Sequence, residues 1–174
     1  MEQGYVQVYT GNGKGKTTAS LGLIMRAVAT GAKVYFGQFV KNMEYKEIET
    51  LKKRFPEVTT ELFGSEQGCF INREPVKDDK DAAKKGYEKA MAALISEKYD
   101  VVVLDEINIA LYYQLITIEE VLLLIKMKPK ATELILTGRY APPEICEAAD
   151  LVSEMREEKH YYNAGILARV GIEF

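Results

Sequence analysis

The chain has no tryptophan, only two cysteines and a single histidine among its 174 residues. Cys69 and Cys146 are far apart and form no CxxC pair, so neither a structural zinc site nor a disulfide framework is expected. His160 has no serine, cysteine or second histidine at a useful spacing, which argues against a catalytic triad or a zinc ligand. The two cysteines are therefore expected to be reduced thiols in a cytoplasmic protein.

A strong charge of either sign is also missing. The 23 basic and 26 acidic residues give a net charge of −3, which provides no electrostatic footprint for nucleic acid or an anionic membrane. Apolar runs such as residues 121–125 are far too short to span a bilayer, and no basic region followed by an apolar stretch opens the chain. The length and an apolar content of 47% predict one domain, residues 1–174, with a hydrophobic core.

Glycine is concentrated in one short stretch near the start of the chain. Residues 5–9 form a β-branched and aromatic run, which predicts a strand, and residues 10–18 continue as Thr-Gly-Asn-Gly-Lys-Gly-Lys-Thr-Thr into a predicted helix. The alternate glycines allow a tight turn whose N–H groups point inward towards phosphate oxygens, and the N-terminus of the helix attracts the same anion. The nucleotide-binding candidates are Gly11, Asn12, Gly13, Lys14, Gly15, Lys16, Thr17 and Thr18.

This phosphate loop departs from the usual P-loop pattern at one position. The usual pattern begins with a glycine where this chain has Thr10. Lys16 can still place a positive charge at the phosphates, and the Thr17 hydroxyl can bind Mg²⁺. We therefore expect a tighter loop than in ordinary ATPases and do not assume hydrolysis of the γ-phosphate.

Helices and strands alternate along most of the chain. The predicted helix at 16–30 and a buried strand at 34–40 complete a βαβ unit with the first strand, and such units pair parallel strands through a right-handed crossover. The other predicted elements are helices at 45–55, 79–98, 107–115 and 117–127, a short helix from Pro142, and strands at 59–63, 101–104, 133–139 and 151–155. The expected fold is α/β, with a mostly parallel sheet between two layers of helices, as in P-loop NTPases of RecA-like architecture.

Two acids follow the most apolar of the predicted strands. Asp105 and Glu106 come directly after residues 101–104, Val-Val-Val-Leu. Carboxylates at this end of a strand commonly hold the Mg²⁺ that accompanies a phosphate loop, whereas elsewhere such acids serve as helix caps. With a phosphate loop in the same chain the metal role is favoured, and the predicted ligands are Thr17, Asp105 and Glu106.

Three further features each admit two interpretations. Arg26 falls in the middle of the first helix, either on a solvated face or against the nucleotide. Arg139 ends a buried strand, where it either neutralises phosphate charge or pairs with local acids. The loop at residues 64–75 carries Cys69, Phe70 and Ile71, which either plug the edge of the core or form a ligand wall.

Taken by themselves, these residues define an α/β domain that binds a nucleotide with Mg²⁺. No Asn-Lys-x-Asp stretch supports guanine recognition, no cysteine quartet supports a zinc-bearing thymidine kinase, and the composition lacks the basic surface of a nucleic-acid motor. A phosphoryl-transfer enzyme, either an ATPase or a small-molecule kinase, stays open at this point. So does a nucleotide-dependent binding module without turnover.

Motifs spread over the chain carry a family resemblance. Residues 10–19, Gln38-Phe39 with Lys41, residues 102–106 and residues 137–139 resemble, in this order, the ATP:corrinoid adenosyltransferase family of the CobA/BtuR type. The C-terminal part is similar to the same family at residues 149–156, Lys159-His160, Ala164-Gly165 and Gly171-Ile172. The Gly-Asn-Gly-Lys-Gly-Lys-Thr-Thr loop without its leading glycine is much more specific than a bare P-loop, and the C-terminal motif is not a general P-loop feature.

The resemblance implies an enzyme that transfers the 5′-deoxyadenosyl group of ATP to the Co(I) of a reduced corrinoid, either cobalamin or a cobyrinic-type precursor, and releases triphosphate. It further implies that Mg²⁺ is the cofactor, that Lys16 and Arg139 stabilise charge on the triphosphate, and that Arg26 contacts the nucleotide. The apolar residues 69–71 would form part of a water-poor wall for the corrinoid.

The resemblance also implies a homodimer and a flavodoxin-like reductant. This chain departs from the relatives in two respects. They carry a tryptophan in the loop where this chain has Ile71 nearby. Some of them also have an N-terminal extension that helps to cover the site, which this chain is expected to lack, with a partner chain or solvent in its place.

Overall fold

The computed structural model describes residues 2–43, 45–66 and 73–173. Six strands are found there: β1 Val6–Thr10, β2 Val34–Phe39, β3 Val58–Phe63, β4 Val101–Asp105, β5 Glu133–Thr137 and β6 Leu151–Glu154. The helices are α1 Lys16–Val28, α2 Lys46–Arg54, α3 Lys77–Ile95, α4 Ile107–Tyr112, α5 Ile118–Met127 and α6 Pro143–Ala148, followed by a 3₁₀ turn at Tyr161–Ala164.

The six strands form one sheet in the order β3-β2-β4-β5-β1-β6, and every described pair is parallel. β4 lies near the middle, paired with β2 on one side and β5 on the other. All five of its residues are buried, as expected for a central parallel strand that is covered on both faces. Because all strands run in one direction, the loops at their carboxyl ends gather along a single edge.

Helices cover both faces of the sheet. Side chains alternate along β4, so that Val102 and Leu104 face a core cluster shared with α3, α4, α5 and α6. Val101 and Val103 face the opposite cluster, which they share with α1 and α2. This arrangement confirms the predicted three-layer α/β fold. No helix in the described ranges is long and apolar enough to cross a membrane.

The ends of α3 differ from the prediction. The helix begins two residues earlier than predicted, at Lys77, because Asp79 accepts a hydrogen bond from the Val76 N–H at 2.8 Å and so acts inside the first turn. It ends before Glu97, whose φ of 53° is incompatible with a continuing helix. A capping box opens α5, since the Thr117 hydroxyl accepts from the Glu120 N–H and the Glu120 carboxylate accepts from the Thr117 N–H.

The end of the chain is much less buried than the sheet. All four residues of β6 are exposed. After β6, residues 161–173 include the 3₁₀ turn, and most of them are also exposed. We call residues 161–173 the C-terminal wall, because several of them line the cavity described next.

Candidate active site

Four loops at the carboxyl edge of the sheet meet around one cavity of about 680 Å³. They follow β1, β2, β4 and β5, and residues of the C-terminal wall form the remaining side of the cavity. The polar part of the lining includes Gly13, Lys14, Gly15, Lys16, Thr17, Thr18, Lys41, Glu106, Arg139 and Glu173. An apolar part lies between α1 and α2 and includes Leu21, Met25, Leu51 and Phe55.

The phosphate loop packs tightly against the end of β6. Gly11 has a φ of 94°, and a Cβ there would lie 2.4 Å from the Met155 carbonyl oxygen. The Gly13 N–H donates to that oxygen at 2.7 Å. Glycine is therefore required by both the conformation and the close approach. Thr10, which stands in place of the usual first glycine, accepts a hydrogen bond from the Ala141 N–H at 3.2 Å and so ties the loop to the segment after β5.

Lys16 lies at the centre of this loop. Its ammonium group donates to the carbonyl oxygens of Gly11 at 2.7 Å and Gly13 at 2.8 Å, and the residue is buried. Burial lowers the pKa of Lys16, and Arg139 lowers it further, while Glu106 acts in the opposite direction. The amine is thus held inside the loop by two carbonyl oxygens, which the oxygens of an anion can replace.

Asp105 is the centre of a buried polar network beneath the cavity. Its Oδ1 accepts from the Thr17 hydroxyl at 2.9 Å and the Thr137 hydroxyl at 2.6 Å. Its Oδ2 accepts from Gln38 and from the Lys41 ammonium, both at 2.9 Å. These five residues form the floor cluster. Burial alone would raise the pKa of the Asp105 carboxyl, but Lys41 and the hydrogen bonds hold it below its ordinary value.

Glu106 differs from Asp105 in its position, its hydrogen bonds and the direction of its pKa shift. It lines the cavity, its φ is 59°, and its N–H donates to the Thr137 hydroxyl at 3.2 Å. Within the described ranges, no residue donates a hydrogen bond to its carboxylate. Burial raises the pKa of Glu106, and the charge of Asp105 raises it further, although Lys41 and Lys16 oppose this. When a carboxyl group is buried beside another carboxylate, a nearby cation stabilises its charged form.

Strained backbone is concentrated at the same edge. Val40 follows β2 with a φ of 53°, and Tyr140 lies just beyond β5 with a φ of 62°. Together with Glu106, they place side chains bearing a Cβ in the left-handed region after three adjacent strands. For a β-branched residue such as Val40 this is a genuine outlier. Strain of this kind persists where the surrounding structure fixes it, and it accumulates around functional sites.

The structure brings together most of the residues predicted from the sequence. Lys16, Thr17, Glu106 and Arg139 all line the cavity. Asp105 lies below them in the floor cluster, fully buried. Asn12 and Arg26 are exposed and do not line the cavity, so their side chains are not brought to it. The Lys14 ammonium points away from the loop towards the C-terminal wall.

The corrinoid candidates Cys69, Phe70 and Ile71 lie outside the described residues. The segments on either side of them are joined at the start of α3. Asp79 accepts from the Ser65 hydroxyl at 2.5 Å and from both terminal nitrogens of Arg73, at 2.6 and 2.9 Å. The Asp79 side chain is buried, and its bonds with Arg73 and Ser65 lower its pKa to about 2.

The residues that the sequence prediction missed as site residues are those whose partners are distant in the chain. Gln38, Lys41 and Thr137 were noted in motifs but given no role, and Glu173 was likewise given none. Each of the first three follows or ends a strand at the carboxyl edge, and that position was the signal available in the sequence. Glu173 offered no comparable signal, because its contact with Lys14 spans 159 positions.

The parallel sheet, the glycine loop and the buried lysine are consistent with a P-loop NTPase-like fold. Comparison with known proteins identifies one family within this class of fold. The model of the family "ATP:corrinoid adenosyltransferase BtuR/CobO/CobP" matches residues 2–174, and the chain belongs to this family.

Individual relatives agree over nearly the whole chain. A corrinoid adenosyltransferase of Sinorhizobium sp is 40% identical over 175 residues, covering 99% of this chain and 81% of the relative. Proteins of the same name from Pseudomonas aeruginosa and Escherichia coli K12 are each 37% identical, covering 99% of this chain and 85% and 87% of the relatives.

Proposed function

We propose that this protein transfers the 5′-deoxyadenosyl group of ATP to the Co(I) of a reduced corrinoid. The cobalt electron pair forms the Co–C5′ bond, the C5′–O bond breaks, and its electrons leave with triphosphate. The observation that carries the proposal is the cavity of a chain that matches the family model over residues 2–174, in which a glycine loop, Lys16 and Arg139 meet at one sheet edge. The protein needs no base for this reaction, since Co(I) is already the nucleophile.

The main task of the protein is then to hold the leaving group. Triphosphate would occupy the loop at residues 11–18, with the loop N–H groups donating to its oxygens. Lys16 would give up the carbonyl oxygens of Gly11 and Gly13 and bind phosphate instead. Arg139 lines the same cavity and adds a second positive charge. The exposure of Arg26 favours its interpretation as part of a solvated helix face.

Mg²⁺ is part of the proposal, and the residues present suit it. The Glu106 carboxylate and the Thr17 hydroxyl would hold the ion, while Asp105, whose two oxygens already accept four hydrogen bonds, would orient Thr17 from below. Across the described ranges, no three His, Cys, Asp or Glu side chains group to hold a metal by themselves, so the nucleotide would complete the ligand set. When bound, Mg²⁺ neutralises charge on the triphosphate.

The corrinoid would approach the ribose from the mouth of the cavity. The loop that carries Cys69, Phe70 and Ile71 remains our candidate for its wall, and Asp79 would fix that loop by joining Ser65 to Arg73. With the family likeness we also propose a single domain over residues 1–174, a homodimer, a flavodoxin-like reductant and a cytoplasmic location.

The identity of the phosphate-containing product, triphosphate or ADP, tests the proposal. Purified protein is mixed anaerobically with Mg-ATP and chemically reduced cobalamin, and the products are followed by absorbance and ³¹P NMR. We expect adenosylcobalamin and triphosphate in equal amounts, and both to form far more slowly with a Lys16→Met variant. ADP with phosphate would instead indicate an ATPase or kinase, and ATP binding without either product would indicate a binding module. Either result would overturn the proposal.

A further inference from the structure

Two lysines of the phosphate loop have different partners. Lys16 turns inward and donates to carbonyl oxygens of its own loop. Lys14 turns outward, and its ammonium donates to the Tyr161 hydroxyl at 3.3 Å, the Ile172 carbonyl at 2.9 Å and the Glu173 carboxylate at 2.7 Å. A lysine ammonium has three donors, so all three are used on the C-terminal wall.

The part of the wall that receives Lys14 is organised around Glu173. The Glu173 carboxylate accepts from the Tyr161 hydroxyl and, at 2.7 Å, from the Arg169 N–H. The Glu173 N–H donates to the Arg169 carbonyl at 3.0 Å, which closes residues 169–173 into a turn. The Arg169 guanidinium also lies 4.9 Å from the centre of the Tyr161 ring. These cationic and hydroxyl partners hold the pKa of Glu173 well below its ordinary value.

Among the residues that the structure describes, few other contacts fix this turn to the rest of the molecule. Leu167 is 73% exposed and Val170 is 70% exposed, so apolar burial contributes little to its position. Yet Gly171, Ile172 and Glu173 line the same cavity as Lys16 and Thr17. The turn therefore forms part of the nucleotide cavity, while its attachment depends on the polar contacts of Lys14.

We propose that Lys14 is a positioning residue, which anchors residues 169–173 as the outer side of the nucleotide cavity and acts on ATP binding through Glu173. The Lys14 backbone N–H remains available to phosphate, but its ammonium does not contact the triphosphate. The ammonium also pairs a carboxylate that would otherwise face a polyanion in the same cavity. This inference rests on the proposed function for the identity of the nucleotide.

A double-mutant cycle tests the inference with Lys14→Met, Glu173→Gln and the variant with both changes. Dissociation constants for Mg-ATP are measured by calorimetry, which does not depend on the reaction product. We expect Lys14→Met to weaken binding about tenfold in the wild-type background, the size expected for a lost charge-assisted hydrogen bond. In the Glu173→Gln background, the same change should cost less than about twofold, since residues that act through each other are not additive.

Two further measurements complete the test. Hydrogen exchange over residues 161–173 should rise in both single variants, and saturating ATP should restore kcat in Lys14→Met. Lys14→Arg should keep most of the affinity. Lys84→Met is the matched control, because Lys84 forms an exposed ion pair with Glu120 on the α3–α5 surface, and it should bind ATP like the wild type.

Equal losses from Lys14→Met in both backgrounds would mean that the ammonium contacts phosphate directly, and would overturn the inference. Unchanged exchange over residues 161–173 in either single variant would overturn it as well. A failure of adenosyl transfer would be seen separately, as ADP in the product analysis, with the coupling between Lys14 and Glu173 intact.

Discussion

The floor cluster and the C-terminal wall border the same cavity but are held in different ways. In the floor cluster, Asp105 is fully buried, and the Lys41 ammonium that pairs with it is 17% exposed. In the wall, Lys14 is 40% exposed and Glu173 is 18% exposed. Breaking a buried ion pair is costly because one charge stays behind without water, whereas exposed pairs are worth little. The floor cluster is thus part of the folded core, whereas the C-terminal wall contributes little to the stability of the fold.

Asp105→Asn should have the largest effect on stability. The amide leaves Lys41 without its counter-charge and places an N–H₂ group against donors. We expect the free energy of unfolding to fall by about 3–5 kcal/mol. Urea denaturation measures this directly. The control is Glu154→Gln, because Glu154 forms an exposed ion pair with Arg156. This variant should change the free energy of unfolding by less than about 0.5 kcal/mol. A loss below about 1 kcal/mol for Asp105→Asn would remove the distinction between floor and wall.

Lys16→Met should have the largest effect on catalysis. It removes the one ammonium at the centre of the loop and keeps a side chain of similar length in a buried position. We expect kcat for adenosyl transfer to fall by roughly 10²–10³, as when a donor to developing negative charge is lost, with little change in Tm. A fall of less than about tenfold would show that the loop N–H groups and Arg139 suffice without it.

Asp79→Asn should distinguish the loop at residues 64–75, the candidate corrinoid wall, from both regions. The Asp79 pKa lies at about 2 instead of its ordinary 3.8, so the stabilising interaction is fully present above the ordinary value and is lost as pH falls towards 2. At pH 7 we expect the variant to be less stable by about 2 kcal/mol, with the difference shrinking below pH 4. We also expect KM for the corrinoid to rise while KM for ATP is unchanged.

Denaturation curves at pH 7 and pH 3 test the first part of this prediction. A difference between wild type and variant that does not depend on pH would mean that Arg73 and Ser65 do not favour the charged carboxylate. An equal rise of both KM values would mean that Asp79 does not act on corrinoid binding alone.

Lys14→Met should have the smallest effect on stability. Its partners are on an exposed segment, so we expect Tm to stay within experimental error of the wild-type value. Lys84→Met, at an exposed pair elsewhere, should behave alike. A large fall in Tm for Lys14→Met alone would mean that the C-terminal wall contributes to the stability of the fold as the floor cluster does.

Local patterns in the sequence predicted much of the fold. The buried run at 101–104, the capping box at Thr117 and the glycine loop each depend on neighbours within a few positions, and the structure has the predicted β4, α5 and three-layer fold. The family resemblance is also confirmed. The start of α3 was predicted two residues late because Asp79 was taken as the first helical residue, and not as an acceptor within the first turn.

Contacts between distant segments could not be predicted in this way. The pairing of Lys41 with Asp105 spans 64 positions, and that of Lys14 with Glu173 spans 159. No periodicity links such residues, and only the sheet order brings them together. The roles of Lys16, Arg139 and the Mg²⁺ ligands stay predictions, as does the corrinoid wall at residues 69–71.

The bond that breaks in ATP is the most direct test of adenosyl transfer. ATP carrying ¹⁸O in the bridge between C5′ and the α-phosphorus is turned over with reduced cobalamin, and the triphosphate is analysed by mass spectrometry. Attack of cobalt on C5′ cleaves the C5′–O bond, so we expect the label to be recovered completely in triphosphate. Label retained on the nucleoside side, or found in ADP, would contradict the proposed reaction.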